Sequence, residues 1–496
     1  MEIMYTSTRD LSVRVTSSQA ILKGLSDEGG LFVPESIPVL DVPLDKLAEM
    51  DYRSTAMAVM RLFLTDFTQE ELSACICGAY DEKFDIPQIT TLVKAGSAWY
   101  LELFHGKTIA FKDMALSILP YLMKTAAVKN HDEHEIIILT ATSGDTGKAA
   151  LDGFADVPGT RIIVFYPKHG VSAFQEKQMV TQKGDNTCVI GIEGNFDDAQ
   201  RGVKSIFSDE TLRHKMDAAG MAFSSANSIN IGRLVPQVVY YVYAYGQLVA
   251  NGALKAGEPM NVTVPTGNFG NILAAFYAKQ MGLPIGKLLC ASNENRVLTD
   301  FFETGIYDKN RPFVLTSSPS MDILVSSNLE RLLFHLASQD DKACAAFMKQ
   351  LETEGRYTIT DRMAEKTKDF YAGSANEEQT AGQIRKIFDS CGYVIDPHTA
   401  VASYVYDRYL EETNDRTPAV IASTASPFKF AGDVLRSLGK DIEGQDALAL
   451  ADALSVVSGT VLPPAVEEVR TAPVRHQTVI ASGMMSAEVS KRVFEG

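Results

Sequence analysis

From about residue 134 onward the chain repeats one hydrophobic pattern: a short apolar run rich in β-branched residues, a turn of small residues, and an amphipathic stretch. A short apolar run bounded by turn residues is typical of a buried strand, and apolar residues three and four apart are typical of a helix. Regular alternation of the two predicts an α/β fold with parallel sheets covered on both faces. The predicted strands are 135–142, 161–167, 187–192, 261–265, 288–291 and 419–423.

The segments before and after this pattern differ from it. Helical periodicity around 44–65 and 69–80 predicts a mainly helical N-terminal unit, and 340–389 is also mostly helical. We therefore expect three parts: an N-terminal unit over 1–90, a region over 91–440 made of two α/β subdomains of which the smaller covers about 130–230, and a C-terminal helical segment and tail over 441–496.

The composition is that of a folded protein with more than one core. The chain has 496 residues, 46% of them hydrophobic and 22% charged, whereas single cores stop growing at about 250–300 residues. Its 62 acidic residues outnumber its 46 basic ones, and the net charge of −16 disfavours nucleic-acid or anionic-membrane partners. An anionic ligand must therefore be held by a local site.

The sequence shows no targeting, membrane or metal-binding signal. The N-terminal segment lacks the basic and apolar regions of a signal peptide. The most apolar stretch, 234–250, is interrupted by polar residues and Pro236, and is shorter than the ~20 residues of a membrane span. The six cysteines lack paired metal-ligand spacing. We expect a cytoplasmic protein with no bound metal.

Ligands of open α/β sheets bind beyond the carboxyl ends of the strands, so the loops that follow strands are the candidate sites. The first such loop follows strand 261–265 and comprises Gly267, Asn268, Phe269, Gly270 and Asn271. Glycines allow a ligand to approach the backbone, and the N–H groups at a helix start bind phosphate. A tight structural turn is an equally good interpretation of this loop alone.

The second loop, 140–148, has the sequence TATSGDTGK. A nucleotide P-loop would need glycine at 142 and a hydroxyl residue at 149, but Thr142 and Ala149 occupy these positions. Its hydroxyls and free N–H groups instead suit a small carboxylate.

The third loop contains Lys112, which lies among Ile109, Ala110, Phe111 and Met114. An apolar setting lowers the pKa of a lysine and makes its amine nucleophilic. By itself, a lysine beside an aspartate is more often a solvated surface pair. The kinase, serine-hydrolase and zinc-protease motifs are missing from the chain.

In this order and spacing, the three loops resemble those of threonine synthases, pyridoxal-phosphate enzymes of the tryptophan-synthase-β type. The resemblance covers roughly residues 1–440. It includes the segments YTSTR (5–9), GGLFVPE (29–35), AFKD (110–113), TSGDTG (142–147), NSIN (227–230), GNFGN (267–271), SPSMDI (318–323), DPHTA (396–400) and STASP (423–427).

The resemblance implies pyridoxal-phosphate fold type II, with two parallel-sheet α/β units flanking pyridoxal 5'-phosphate. It makes Lys112 the catalytic lysine that joins covalently to the cofactor, and 267–271 the loop that holds the cofactor phosphate. Thr424 is then the hydroxyl residue facing the pyridine nitrogen, where it would leave the ring a gentler electron sink than a carboxylate partner would.

The implied reaction converts O-phospho-L-homoserine and water to L-threonine and phosphate, with Lys112 moving protons. Ser143, Asp145 and Thr146 are expected at the α-carboxylate and amino end of the substrate. Arg233, assisted by Asn230, is expected at its phosphate.

Two positions depart from the family pattern: Lys107 replaces a usual proline, and Ser426 a frequent histidine. We expect Lys107 to face solvent, and the change at Ser426 leaves the reaction class better supported than the substrate side chain. The alternatives are a serine or threonine dehydratase-like enzyme or another β-replacement enzyme on the same fold, and a non-catalytic homologue that binds a small anion. The resemblance is compatible with a monomer or a homodimer.

Overall fold

The computed structural model describes residues 2–142 and 144–495. Its strands are β1 (Tyr5–Ser7), β2 (Phe32–Pro34), β3 (Thr91–Ala95), β4 (Ala98–Glu102), β5 (Glu135–Ala141), β6 (Thr160–Pro167), β7 (Thr187–Glu193), β8 (Met221–Ser224), β9 (Met260–Pro265), β10 (Ile285–Ser292), β11 (Ile306–Asp308), β12 (Arg356–Thr358), β13 (Phe370–Ser374), β14 (Ala419–Ser423) and β15 (Val479–Ala481).

The helices connect and cover these strands. They are α1 (Ser17–Lys23), α2 (Tyr52–Phe63), α3 (Gln69–Ala79), α4 (Asp113–Leu116), α5 (Leu119–Lys129), α6 (Asp145–Phe154), α7 (Ala173–Val180), α8 (Phe196–Phe207), α9 (Glu210–Ala218), α10 (Ile231–Ala250), α11 (Gly270–Gln280), α12 (Val297–Thr304), α13 (Leu329–Leu336), α14 (Asp341–Thr353), α15 (Asp361–Lys366), α16 (Glu377–Cys391), α17 (Pro397–Thr413), α18 (Ala431–Ser437), α19 (Ala447–Ser458), α20 (Pro464–Thr471) and α21 (Met485–Phe494). None of those in the described residues is long and apolar enough to cross a membrane.

Two sheets organise the fold. The large sheet has the order β13-β10-β9-β14-β4-β3 and is parallel except for the antiparallel pair β3–β4. The small sheet has the order β15-β7-β6-β5-β8 and is parallel throughout. The predicted fold class, α/β with two parallel-sheet units, is confirmed.

The strand β5 shows why the apolar runs form buried strands. Its side chains alternate between two faces: Ile136 and Ile138 belong to the main hydrophobic core, whereas Ile137 and Leu139 belong to a second core beneath α8, α9 and α21. Because both faces are covered, the strand is continuously apolar from Ile136 to Leu139 rather than alternating with polar residues.

The N-terminal residues share the main core with both sheets. Tyr5 and Tyr52 lie in the same cluster as Ile138 of the small sheet and Val262 of the large sheet. The ring of Tyr52 packs edge-on against Tyr243 of α10, with centroids 5.3 Å apart. The hydrophobic core is therefore continuous across the predicted boundary at about residue 90. The boundaries given above for the three parts stay a prediction.

Several strands lie where the sequence pattern did not predict them. β13 lies in the segment predicted to be helical, and β15 lies in the unassigned tail. Both are edge strands of their sheets. Edge strands lack neighbours on one side and are partly exposed, so they do not need the continuous apolar run that marks a central strand.

Candidate active site

The Lys112 loop follows β4 and is fixed against the segment that follows β14. The N–H of Phe111 donates to the Thr424 carbonyl (2.8 Å), and the N–H of Ser426 donates to the Ile109 carbonyl (3.0 Å). Ile109 has φ 51°, in the left-handed region that a β-branched residue rarely adopts. Such strain persists only where the surrounding structure enforces it, and it is often found at functional sites.

The amine of Lys112 lies in a largely buried, polar-lined position. Its side chain is 12% exposed, and Nζ is 3.6 Å from Asp145 Oδ2 and 3.3 Å from Ser320 Oγ. Burial lowers the pKa of Lys112; Asp145 opposes this, while the cations of Lys429 and Arg233 lower it further. The lowered pKa agrees with the expectation from its apolar sequence neighbours.

Asp145, the first residue of α6, links the two sheets. Its carboxylate accepts from Lys429 Nζ (2.8 Å), Gln175 Nε2 (2.9 Å) and Ser320 Oγ (3.1 Å). Burial would raise the pKa of Asp145, but Lys429 and Lys112 hold it well below its usual range. The carboxylate is thus engaged by protein groups, and its predicted contact with substrate stays a prediction.

Lys429 was not recognised as a site residue from the sequence. Its side chain is fully buried in the turn after β14, and Nζ also donates to the Thr108 carbonyl (2.9 Å) in the Lys112 loop. The available signal was a lysine in an apolar segment, as for Lys112, and here the segment directly follows the predicted strand 419–423.

The loop 267–271 leads from β9 into the start of α11. Phe269 precedes the helix with φ 64°, and an added Cβ at Gly270 would meet no atom closer than 3.5 Å. The Tyr241 hydroxyl donates to Asn271 Oδ1, while the buried Nδ2 of Asn271 has no partner among the described residues. A free amide donor beside a helix N-terminus suits a phosphate.

The Ser320 turn brings this loop and the lysine together. A Cβ on Gly267 would collide with the Ser320 carbonyl oxygen, so the turn lies directly against the start of the loop. The hydroxyl of the same serine contacts Lys112 Nζ. Two loops that lie about 155 positions apart in the sequence therefore share one neighbour.

Arg233 is a buried cation that no described carboxylate pairs with. The residue is 2% exposed, and its Nη1 donates to the Ala226 carbonyl (2.6 Å). Its Nε has no hydrogen-bond partner in the described part of the chain, and burial lowers the pKa of Arg233 to about 10. A structural ion pair therefore does not account for this guanidinium, which is available to an anionic ligand.

Asn230 has a structural role in this conformation. Its Oδ1 accepts from the N–H of Gly232 (2.8 Å) and caps α10, and its Nδ2 donates to the Ile21 carbonyl (2.9 Å). Its assistance to Arg233 stays a prediction.

The loop between β5 and α6 is closed by Thr142, whose Oγ1 accepts from the N–H groups of Gly144 (3.0 Å) and Gly147 (2.9 Å). Gly144 has φ 134°, and an added Cβ would lie 2.5 Å from Gln175. Thr146 is half-buried in the first turn of α6. Ser143 lies outside the described residues.

The remaining predicted positions surround the lysine loop. Thr424 is buried at the carboxyl end of β14, next to the backbone of Phe111. The hydroxyl of Ser426 caps the following turn by accepting from the N–H of Phe428 (3.4 Å). Lys107 is exposed, as expected.

Proteins of known family match most of the chain. Family models described as "Threonine synthase N terminus" and "Threonine synthase, C-terminal" match residues 4–80 and 399–486. The chain is 41% identical over 434 residues to "Threonine synthase-like 1" of Macaca fascicularis, covering 85% of this chain and 58% of the relative. It is 36% identical over 466 residues to "Threonine synthase" of Saccharomyces cerevisiae, covering 88% of this chain and 89% of the relative.

Two solved structures share the whole fold. The structure of pyridoxal-phosphate-bound threonine synthase from Brucella melitensis has a TM-score of 0.87 and 33% identity, covering 99% of this chain and 98% of that one. That of yeast threonine synthase has a TM-score of 0.88 and 32% identity, covering 99% of each chain. The chain spans only 58% of the length of the threonine synthase-like 1 relative.

Proposed function

The chain belongs to the threonine synthase family, and from this premise we propose that it converts O-phospho-L-homoserine and water to L-threonine and phosphate. The cofactor proposed is pyridoxal 5'-phosphate, as in the Brucella structure. One observation carries the proposal. The Ser320 turn contacts both the Lys112 amine, whose pKa is lowered, and the loop 267–271, whose glycines and helix start suit a phosphate.

The residues present fit the cofactor. Lys112 offers the amine for covalent attachment, and the free Asn271 amide and the start of α11 offer donors for its phosphate. Thr424 offers a hydroxyl at the carboxyl end of β14, a central strand of the large sheet. When bound, pyridoxal phosphate supplies an electron sink that makes the Cα proton of an amino acid acidic.

The protein side chains would bind the substrate and move its protons. Lys112, held by Asp145 and Ser320, is the base for the Cα proton, and its lowered pKa favours the neutral amine that this role needs. Arg233 is the candidate for the substrate phosphate. The buried cations of Lys429 and Arg233, which both act on Lys112, add positive charge to the site in a protein of net charge −16.

The test is to measure phosphate and threonine formed from O-phospho-L-homoserine by the full chain, together with ammonia released from L-serine and L-threonine. We expect phosphate and threonine in equal amounts. Lys112→Ala should lower the rate by about a thousandfold or more, because both covalent attachment and the base are lost. Lys107→Ala, an exposed lysine in the same loop, should be near wild type.

The other outcomes are informative. Ammonia release without phosphate release would replace this proposal with the dehydratase alternative. Absence of both activities in a chain that binds small anions would favour the non-catalytic homologue.

We further propose a cytoplasmic location and a monomeric or homodimeric state. The location rests on the sequence features given above, and the oligomeric state on the resemblance. Light scattering on the purified chain and microscopy of the tagged full-length protein would check them.

A further inference from the structure

We propose that His398 is a positioning residue for Lys112. It holds the backbone of Ser320, and the Ser320 hydroxyl in turn orients the lysine amine. This inference rests on the proposed function, because it assigns His398 a part in keeping the proposed base in place.

The hydrogen bonds of His398 define its proton position. The residue is 2% exposed in the first turn of α17; its Nδ1 is 2.7 Å from Asp396 Oδ2, and its Nε2 is 3.2 Å from the backbone nitrogen of Ser320. A carboxylate accepts and a backbone N–H donates, so Nδ1 carries the proton and Nε2 is the acceptor. The histidine is therefore neutral in this arrangement, with its tautomer fixed by Asp396.

Asp396 is itself held rigidly. It is fully buried and caps α17 by accepting from the N–H groups of His398 (3.0 Å) and Thr399 (3.1 Å). The ring of Phe430 packs at 5.0 Å from the imidazole centroid. The imidazole thus has a fixed position on a regular helix, which is what a positioning group requires.

The Ser320 turn transmits this position to the site. The turn Pro319–Met321 places the Ser320 hydroxyl between Lys112 Nζ (3.3 Å) and Asp145 Oδ2 (3.1 Å). A hydroxyl has one proton, so donation to the carboxylate leaves a lone pair to accept from the amine. The position of this backbone therefore controls the direction in which Lys112 points.

Loss of the His398 Nε2 acceptor should misplace the base Lys112 without removing any group that binds the substrate. The N–H of Ser320 would lose its partner in the protein, and the turn would shift to find another. A small displacement of a base lowers the rate of the proton transfer more than it weakens substrate binding.

Asparagine and glutamine form a matched pair of substitutions at 398. The side-chain amide of His398→Gln is long enough to replace Nε2 and accept from Ser320, whereas that of His398→Asn is short and replaces only the Nδ1 contact with Asp396. We expect His398→Asn to lower kcat about tenfold with KM changed less than about threefold, and His398→Gln to regain most of kcat.

A spectroscopic readout separates positioning from general structural damage. The pH midpoint of the absorption change of pyridoxal phosphate attached to Lys112 should shift in His398→Asn and in Ser320→Ala, and much less in His398→Gln. Thermal unfolding of each variant reports on folding. If His398→Asn fails to fold, the comparison of Ser320→Ala with His398→Gln still tests the link to Lys112.

A double-mutant cycle tests the path through Ser320. In the Ser320→Ala background, His398→Asn should cost less than about threefold in kcat, because the link is already broken. Additive losses, or equal effects of asparagine and glutamine with an unshifted spectrum, would overturn the inference. If the wild type neither attaches the cofactor nor releases phosphate, the proposed function fails; if it does both and the variants behave like it, only this inference fails.

Discussion

The two buried cations Lys429 and Arg233 are stabilised very differently. Lys429 has a carboxylate partner, Asp145, at 2.8 Å. Arg233 has only the Ala226 carbonyl, at 2.6 Å, and its Nε is unsatisfied among the described groups. A buried charge without a partner destabilises a fold. This cost is offset when an anion binds, which is why we assign Arg233 to a ligand.

Arg233→Met should therefore separate stability from substrate binding. We expect KM for O-phospho-L-homoserine to rise at least about tenfold, since a charge-assisted contact to phosphate is lost. The ligand-free protein should be unchanged or more stable by about 1–2 kcal/mol, because an unpaired buried charge is removed. Steady-state kinetics and unfolding with and without inorganic phosphate measure both effects.

The control for this variant is Arg201→Met, at an exposed arginine of α8 paired with Asp198. Arg201→Met should leave both the KM for O-phospho-L-homoserine and the stability of the ligand-free protein nearly unchanged. A destabilised Arg233→Met protein with unchanged KM would show that the guanidinium is structural.

At the scale of secondary structure, the loop between β9 and α11 depends on Gly267 having no side chain. Gly267 lies so close to the Ser320 carbonyl that a Cβ requires one of the two backbones to move. The contacting atom is a backbone oxygen, which cannot move aside as the end of a flexible side chain would. The glycine is therefore needed for close approach of the Ser320 turn.

Gly267→Ala should weaken cofactor binding by about tenfold or more, because displacement of either backbone moves the donors around the phosphate. Equilibrium titration with pyridoxal phosphate, followed by absorbance, measures this. The matched control is Gly382→Ala in α16, where a Cβ meets no atom within 4 Å. That variant should bind normally and gain about 0.5–1 kcal/mol from better helix propensity. Equal binding by both variants would contradict the role given to the Gly267 contact.

The same scale shows how far the sequence could predict the fold. The predicted strand 187–192 is one residue short of β7, and 419–423 is β14 itself. These are apolar runs buried on both faces, where burial decides the residue types. β15 has only three residues and becomes a strand by pairing with Gly191, Ile192 and Glu193 of β7. That tertiary pairing leaves no local signal in the tail.

For the candidate site, too, the parts with a local sequence signal were predictable and the parts formed by tertiary contacts were not. Lys112 and the loop 267–271 carry local signals, an apolar setting for a lysine and paired glycines before a helix. The bond from Ser320 to Lys112 spans 208 positions, and the pair between Asp145 and Lys429 joins different sheets. Such contacts depend on how the sheets are placed, which hydrophobic periodicity does not specify.

At the scale of the whole molecule, the site is assembled between the two sheets. The small sheet contributes Asp145 at the start of α6, and the large sheet contributes Lys112 and Lys429 in the loops after β4 and β14. The ion pairs therefore join the two sheets, and the Asp145 carboxylate opposes the lowering of the Lys112 pKa that burial causes. Changes that separate the sheets should consequently alter both stability and chemistry.

Stability of the whole molecule should also depend on pH through His105, which lies just after β4. Its Nδ1 is 2.7 Å from Asp85 and its Nε2 3.0 Å from Glu102. Burial alone would lower the pKa of His105, but these two carboxylates raise it to about 9. A histidine whose pKa is raised on folding stabilises the protein fully below its unfolded value of about 6.5, and this contribution disappears as the pH rises through about 9.

His105→Gln should therefore reduce the loss of stability between pH 6.5 and 9.5, a difference of about 2 kcal/mol from the wild type. Urea unfolding at the two pH values measures it, and the difference between wild type and variant cancels the other groups that titrate in this range. His134→Gln is the control, because His134 also lies between two aspartates but its side chain is 34% exposed and better screened by solvent. If His105→Gln loses as much stability as the wild type over this range, the His105 imidazolium does not stabilise the fold, and the loss of stability at high pH comes from other groups.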